Sequence, residues 1–167
     1  AVVKQPQVLA QMSGFSIPED RKFIIVPSEG VGPSHPFSGE KLSAIMAFYK
    51  VADIHEAVAL TNAIQEYQGM GHSCGIYSNS DENIITLASG TKTSRVMVNQ
   101  PQAPSNSGNL WNGMRQTFSL GCGSWGGNST NENINWKHLV NITWVSKPLA
   151  QAKTLPSDEE LFGDVIA

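Results

Sequence analysis

The sequence predicts an α/β fold built on parallel strands, and three observations predict it. Leu, Ile, Val and Phe supply 40 of the 167 residues, above the rough 20% floor below which a chain struggles to build a core. Apolar runs of strand length alternate with capped amphipathic segments between Ser43 and Val98. That order, β-α-β-α-β, argues for parallel pairing with helical crossovers. The length is about one domain's worth, on roughly 100–200 residues per domain.

The elements follow in order. Val8, Leu9 and Met12, closed by Gly14, read as a short helix with a glycine stop. Phe23 to Pro27 is a continuous apolar run ended by proline, and so reads as a buried strand. Ser28 to Gly39 is a Gly/Pro/Ser loop, and Ser43 to Tyr49 is a second strand-like run. Asp53 with Glu56 three residues on forms a capping-box pattern for a helix carrying Ala57, Val58, Leu60, Ala63, Ile64 and Tyr67. Gly69 and Gly71 end that helix. Ser73 to Tyr77 is a strand, and Asn79, Ser80 or Asp81 can cap the helix after it. Gly90 is expected to stop that second helix, and Arg95 to Val98 is a further strand.

From Asn99 to Trp136 the regularity fails. This stretch holds eight of the twelve asparagines and three of the four tryptophans. Structureless loops beyond about 12–15 residues are uncommon in compact domains unless they are functional or disordered. Trp111, Phe118, Leu120 and Trp125 give it burial potential, so it reads as an ordered functional loop. Leu139 to Val145 returns to a strand-like pattern, and Lys147 to Ala167 is a tail with acids at Asp158, Glu159, Glu160 and Asp164.

Charge is scarce. Asp, Glu, Lys and Arg make up 15% of the chain, against a typical 25% or so. Between Val96 and Asn131 the only charged residue is Arg115. A stretch so poor in charge points to a surface that something else covers. No Lys/Arg stripe suggests nucleic acid, and no apolar run approaches the roughly 18 residues of a membrane span. Two cysteines, Cys74 and Cys122, are too few for a disulfide scaffold. A reducing, cytoplasmic compartment is the simplest expectation, with the sequons at Asn128 and Asn141 as chance matches.

Several residues could carry chemistry. Gly121-Cys122-Gly123-Ser124-Trp125-Gly126 spells GxGxxG, but no helix pattern follows it and no acid lies about 20 residues on. The dinucleotide-binding reading is therefore rejected, and the glycines read as a place of close backbone approach. Cys122 is a candidate nucleophile or a small packing residue, and Cys74 lies inside a strand. His72 could touch a substrate or phosphate, or face solvent. Glu40 could bind a ligand hydroxyl, or face solvent. His35, His55 and His138 show no metal-ligand spacing, so no metal site is expected.

Three segments in order add a resemblance: GEKLSAIMAFYKVADIHEAV from Gly39, GMGHSCGIYSN from Gly69 and TFSLGCGSWGGNSTNENINWKHLVNITWV from Thr117. Together they resemble the C-terminal part of CoA-acylating aldehyde dehydrogenases, including the aldehyde dehydrogenase half of bifunctional aldehyde–alcohol dehydrogenases. The resemblance implies part of that catalytic domain over residues 1–138, with 99–136 as its active-site and contact loop. It further implies an oligomerisation strand over 139–147 and a tail over 148–167. Glu40 resembles the glutamate that holds the nicotinamide ribose of NAD (or NADP), and Leu42 the apolar residue beside the nicotinamide. His72 and Gly121, Cys122, Gly123, Ser124 and Trp125 resemble elements of the substrate and coenzyme A pocket.

In such enzymes a cysteine thiolate attacks a small aldehyde, hydride passes to NAD, and coenzyme A cleaves the thioester. Neither Cys74 nor Cys122 matches the nucleophile position, which lies upstream in the family together with the cofactor domain. The expectation is therefore a C-terminal piece of an oligomeric enzyme, inactive alone. The family motif EKLSP carries Ala44 here in place of proline. Two alternatives stand beside this reading. One is a non-catalytic binding or assembly module on the same scaffold. The other is an enzyme for an anionic aldehyde such as sulfoacetaldehyde, with Arg115 as its cation.

Overall fold

The computed structural model describes residues 2–166, and the side chains of residues 2–163. The chain forms two compact units, Ala1–Lys137 and His138–Ala167. In the first, helix α1 (Pro6–Met12) begins with proline at its N-terminal turn, where a missing N–H costs nothing. Just beyond its end, Gly14 sits at φ +83° and its N–H donates to Gln11 O. Strand β1 (Ile24–Pro27) pairs in parallel with β2 (Ile45–Phe48), Ile24 opposite Ile45 and Pro27 opposite Phe48. In both strands half-buried and exposed residues alternate. The continuous apolar run at Phe23 to Pro27 is therefore a strand with one bare face, not the fully buried strand its composition suggests.

Helix α2 (Ile54–Tyr67) starts as its capping residues predict. Asp53 Oδ1 accepts from Glu56 N at 2.9 Å, and Glu56 Oε2 accepts from Ala52 N at 2.6 Å. The reciprocal bond reaches one residue further back than the usual box. Strand β3 (Cys74–Ile76), helix α3 (Asp81–Gly90) and strand β4 (Val96–Val98) form a β-α-β unit with parallel pairing, Cys74 opposite Val96. Of the three possible caps Ser80 is used, its Oγ accepting from Asn83 N.

Gly90 does not stop α3. It is the last helical residue, and Thr91 closes the end by donating N–H and Oγ1–H to Leu87 O. Glycine is needed at 90 for packing: a Cβ there would meet Val58 Cγ1 of α2 at 2.7 Å. Asn62 of α2 then accepts from Lys92 N and donates to Gly90 O, tying the two helices together.

The continuous β-α-β-α-β sheet is not formed. β1–β2 and β3–β4 are two separate two-stranded sheets, with no ladder between β2 and β3. The alternation of elements was legible, but strand adjacency is a long-range property that periodicity does not carry. Parallel sheets normally have both faces covered, yet the buried apolar residues among those described are only Leu9, Ala10, Cys74, Leu87 and Met97.

The long segment after β4 is ordered. It holds helix α4 (Gln102–Asn106), a 3₁₀ turn at Ser124–Gly126 and an antiparallel bridge between Leu120 and Asn133. Its aromatic residues do not order it by burial. Trp111, Phe118 and Trp125 are all exposed, Phe118 completely.

In the second unit, Leu139–Val145 forms no ladder among the described residues, and its apolar side chains are exposed. Helix α5 (Asp158–Ile166) lies in what reads as a tail. Its signal was present as a capping box: Ser157 N and Oγ donate to Glu160 Oε2, and Glu160 N donates back to Ser157 Oγ. That bonding draws the Glu160 carboxyl below its ordinary pKa.

Replacing the α3 cap, Ser80→Ala, is expected to cost about 1 kcal/mol in urea unfolding. The α2 cap should be acid-sensitive. The Glu56 N–H holds Asp53 below its ordinary pKa of 3.8. A depressed folded-state pKa means the contribution is complete above 3.8 and is lost as pH falls through the lower folded value. Amide exchange at Glu56 should accelerate over that acid window, and Asp53→Asn, which keeps an acceptor, should remove the dependence.

Candidate active site

The site is built where α2, the turn into β3, helix α4 and the glycine-rich segment meet. Gly69 (φ +94°) and Gly71 (φ +85°) bend the chain out of α2. A side chain at Gly71 would meet Cys122 O at 2.4 Å and Gly126 N at 2.6 Å. Two backbones approach closely there, and the positive φ excludes other residues on the same turn. The Gly121–Gly126 segment is thereby pressed against the His72 turn. Asn128 Oδ1 accepts from Cys122 N, which fixes the segment from its far end.

The resulting cleft, about 620 Å³, is lined among others by Glu40, Gln65, His72, Ser73, Asn106 and Cys122. The size suits a cofactor or small-molecule site. Glu40 is exposed at its edge. Its backbone N–H donates to Gln68 Oε1 at 2.6 Å, and its carboxylate makes no ion pair among the described residues. His72 Nδ1 lies 2.7 Å from Ser73 Oγ. Gln102 Nε2 donates to both the hydroxyl and the carbonyl of Ser73, at 2.9 Å each. The imidazole is therefore oriented through a serine held by α4.

Of the residues singled out from the sequence, the structure brings Glu40, His72 and Cys122 onto this one cleft. Leu42 does not line it: it is exposed at φ +45°, and its carbonyl accepts from Val3 N. Gly123 and Ser124 border a different, shallower cavity with Asn128 and Thr130. Gly121 is buried against Thr130, and Trp125 is exposed beside them. The described residues contain no group of acidic, His or Cys side chains able to hold a metal ion, and no helix among them is long and apolar enough to cross a membrane.

Sequence reasoning missed four residues. Gln65 and Asn106 line the cleft, both more than nine-tenths buried. The Oε1 of one and the Oδ1 of the other meet no donor. Unmatched buried acceptors are costly, so they mark where a ligand's N–H or O–H groups would fit. Behind the glycine segment lies a buried pair. Arg95 donates Nε–H to Asn133 Oδ1 at 2.8 Å and Nη1–H to Gly121 O at 2.7 Å. Asn133 Nδ2 in turn donates to Asn106 O at 3.2 Å and to Arg115 O at 2.8 Å. Burial pulls the Arg95 guanidinium below its usual pKa, and the nearby Cys122 thiol acts in the opposite direction. The one signal for this pair was a charged residue opening an otherwise apolar strand.

No family model matches the chain. A sulfoacetaldehyde dehydrogenase of Acholeplasma sp is 41% identical over 165 residues, 99% of this chain and 34% of that protein. An acetylating succinate-semialdehyde dehydrogenase of Clostridium kluyveri is 38% identical over 160 residues, 96% of this chain and 35% of that protein. Among solved structures, an acetylating aldehyde dehydrogenase from Geobacillus thermoglucosidasius matches with TM-score 0.84 and 35% identity. The match covers 92% of this chain and 34% of that one. The chain thus spans about a third of the length of these relatives.

Two substitutions test the scaffold of the cleft. Asn133→Ala strands Arg95 Nε and two carbonyls, and is expected to cost about 2–4 kcal/mol in denaturant unfolding. Gly71→Ala adds a left-handed strain to a backbone clash, and a similar loss of about 2–4 kcal/mol is expected.

Proposed function

We propose, for a chain that belongs to the acylating aldehyde dehydrogenase family, that it forms part of an NAD(P)-dependent enzyme converting an aldehyde and coenzyme A to an acyl-CoA. The observation that carries this reading is the single cleft on which Glu40, His72 and Cys122 meet. Its chemistry fits the two cofactors. An unpaired carboxylate at the rim suits the vicinal hydroxyls of a ribose. The unmatched oxygens of Gln65 and Asn106 suit amide N–H groups, which both nicotinamide and the pantetheine arm present. NAD(P), when bound, supplies the hydride acceptor.

In this reading Glu40 binds and orients: its two oxygens accept from the ribose hydroxyls. His72 handles a proton. With Nδ1 engaged by Ser73, Nε2 can take the proton of the coenzyme A thiol as its sulfur attacks the thioester carbonyl, the acyl–cysteine C–S bond breaks and the cysteine leaves as its thiolate. Positioned general-base catalysis of this kind contributes about 10²–10⁴-fold. The thioester-forming cysteine is assigned to a segment outside these 167 residues. Cys74 is buried against Thr91 and Thr93, and the Cys122 backbone N–H is committed to a turn rather than to an oxyanion. The exposed faces of Trp111, Phe118 and Trp125 form the contact with that segment's domain. Two free cysteines suit a reducing cytoplasm, and Leu139–Val145 pairs with another subunit.

The relatives named above act, by name, on aldehydes that carry a sulfonate or a carboxylate. We assign this chain the same class, an aldehyde with an anionic far end. The test is NADH formation by the complete enzyme from sulfoacetaldehyde, NAD and coenzyme A. The isolated 167-residue chain should give none. In the complete enzyme His72→Gln should leave one equivalent of NADH per site in a burst and slow steady turnover by about 100-fold or more. Glu40→Gln should raise the KM for NAD with little change in that for coenzyme A. Turnover by the isolated chain that is lost on Cys122→Ala would overturn the assignment.

A further inference from the structure

A second cavity, of about 260 Å³, is walled by Ser94, Arg95, Arg115, Asn131, Glu132 and Asn133, with Met114. It neighbours the cleft through two consecutive residues. Gly121 gives its carbonyl to Arg95, and Cys122 lines the cleft itself. Asn133 holds the two arginine-bearing segments at this wall, accepting from the side chain of Arg95 and donating to the backbone of Arg115.

The charge balance of the cavity is unusual. Arg95 is 5% exposed, and among the described residues neither it nor Arg115 meets a carboxylate within 4.0 Å. The one acid on the wall, Glu132, pairs with Lys137. Two donors have no acceptor: Nη2 of Arg95 and the buried Oγ of Ser94. Arg115 lines the cavity and is itself exposed to solvent. Buried charges are normally paired. A guanidinium shielded from water and left without a counter-ion projects its field into the neighbouring space, where little solvent screens it.

Resting on the reading of the cleft above, we propose that this cavity is the subsite for an oxyanion, the sulfonate or carboxylate at the end of the aldehyde remote from its carbonyl carbon. Arg115 is the contacting residue, its planar fork matching two oxygens of the anion. Arg95 is the positioning residue: its buried charge sets the potential, and its bond to Gly121 O holds the segment between the two cavities.

The experiment uses the complete enzyme and compares kcat/KM for sulfoacetaldehyde with that for acetaldehyde. Arg115→Gln is expected to lower the sulfoacetaldehyde value by about tenfold or more and to leave the acetaldehyde value within about twofold, the size left by losing no charged contact. Arg115→Lys should recover part of the loss, because charge without the fork remains. The sulfoacetaldehyde value alone should fall with rising salt. An equal fall for both aldehydes, or no fall for either, overturns the subsite. A rise confined to the KM for coenzyme A, absent with its 3′-dephospho form, also overturns it, because the oxyanion is then a cofactor phosphate. Ethanesulfonate binding, measured by calorimetry on wild type and Arg115→Gln, reads the subsite without turnover. Arg115-dependent binding in an enzyme that oxidises no aldehyde would retire the proposed reaction and keep the anion site, whereas Arg115-independent binding, or none, would retire the site.

Discussion

The bond from buried Arg95 to buried Asn133 is the constraint on which the rest of the site depends. One carboxamide accepts the guanidinium Nε and donates to the carbonyls of Asn106 and Arg115. It therefore joins the start of β4, the end of α4 and the middle of the charge-poor segment at a single point. The other bond of the Arg95 guanidinium, from Nη1, reaches Gly121 O, so the glycine segment is tied to the same group. That anchor adds to the backbone bonds of the Gly71 turn with Lys92 and Ser94, and to those of the glycine segment with Glu132 and Thr130. The cleft exists because a polar group is buried, which inverts the usual relation between core and site.

That inversion shows throughout the first unit. Buried polar residues among those described include Gln65, Thr91, Arg95, Ser105, Asn106, Asn109 and Asn133, more than the buried apolar ones. Fully apolar surface lies outside instead, on Trp111, Phe118 and one face of β1 and β2. Net hydrogen-bond stabilisation is modest, about 1 kcal/mol each, whereas apolar burial scales with area. A unit with five buried apolar residues and two open two-stranded sheets leaves much of its available burial unrealised. If the cofactor domain of the proposed enzyme covers part of this surface, the stability of the unit and the completion of its site come from the same contact.

How much of this was legible in the sequence depends on the range of the interaction. Caps were legible because they act over three residues: Asp53 with Glu56, and Ser80 with Asn83. The same signal at Ser157 and Glu160 was available and marks α5. Strand identity was legible from apolar runs, but not the split into two sheets, since pairing joins residues far apart. The pairing of Arg95 with Asn133 spans 38 residues, and no local pattern encodes it. The site was legible in part, because GHS and the glycine segment carry a family pattern. The roles of Gln65 and Asn106 were not, since a lone carboxamide in a helix has no sequence signature of burial.

The composition that first set the chain apart, few charges and many asparagines, follows from one physical requirement. A long irregular segment must satisfy its backbone without a ladder. Asn109 accepts from Trp111 N and Asn112 N, Asn112 from Met114 N, and Asn128 from Cys122 N. Aspartate could accept these same bonds. Three carboxylates there would also neutralise the field of Arg95 and Arg115, and aspartate could not make the four donations by which Asn133 and Asn112 close the segment. Asparagine orders the chain with neutral groups that both give and accept. The positive potential is left intact, and charge scarcity and site electrostatics become one design constraint rather than two.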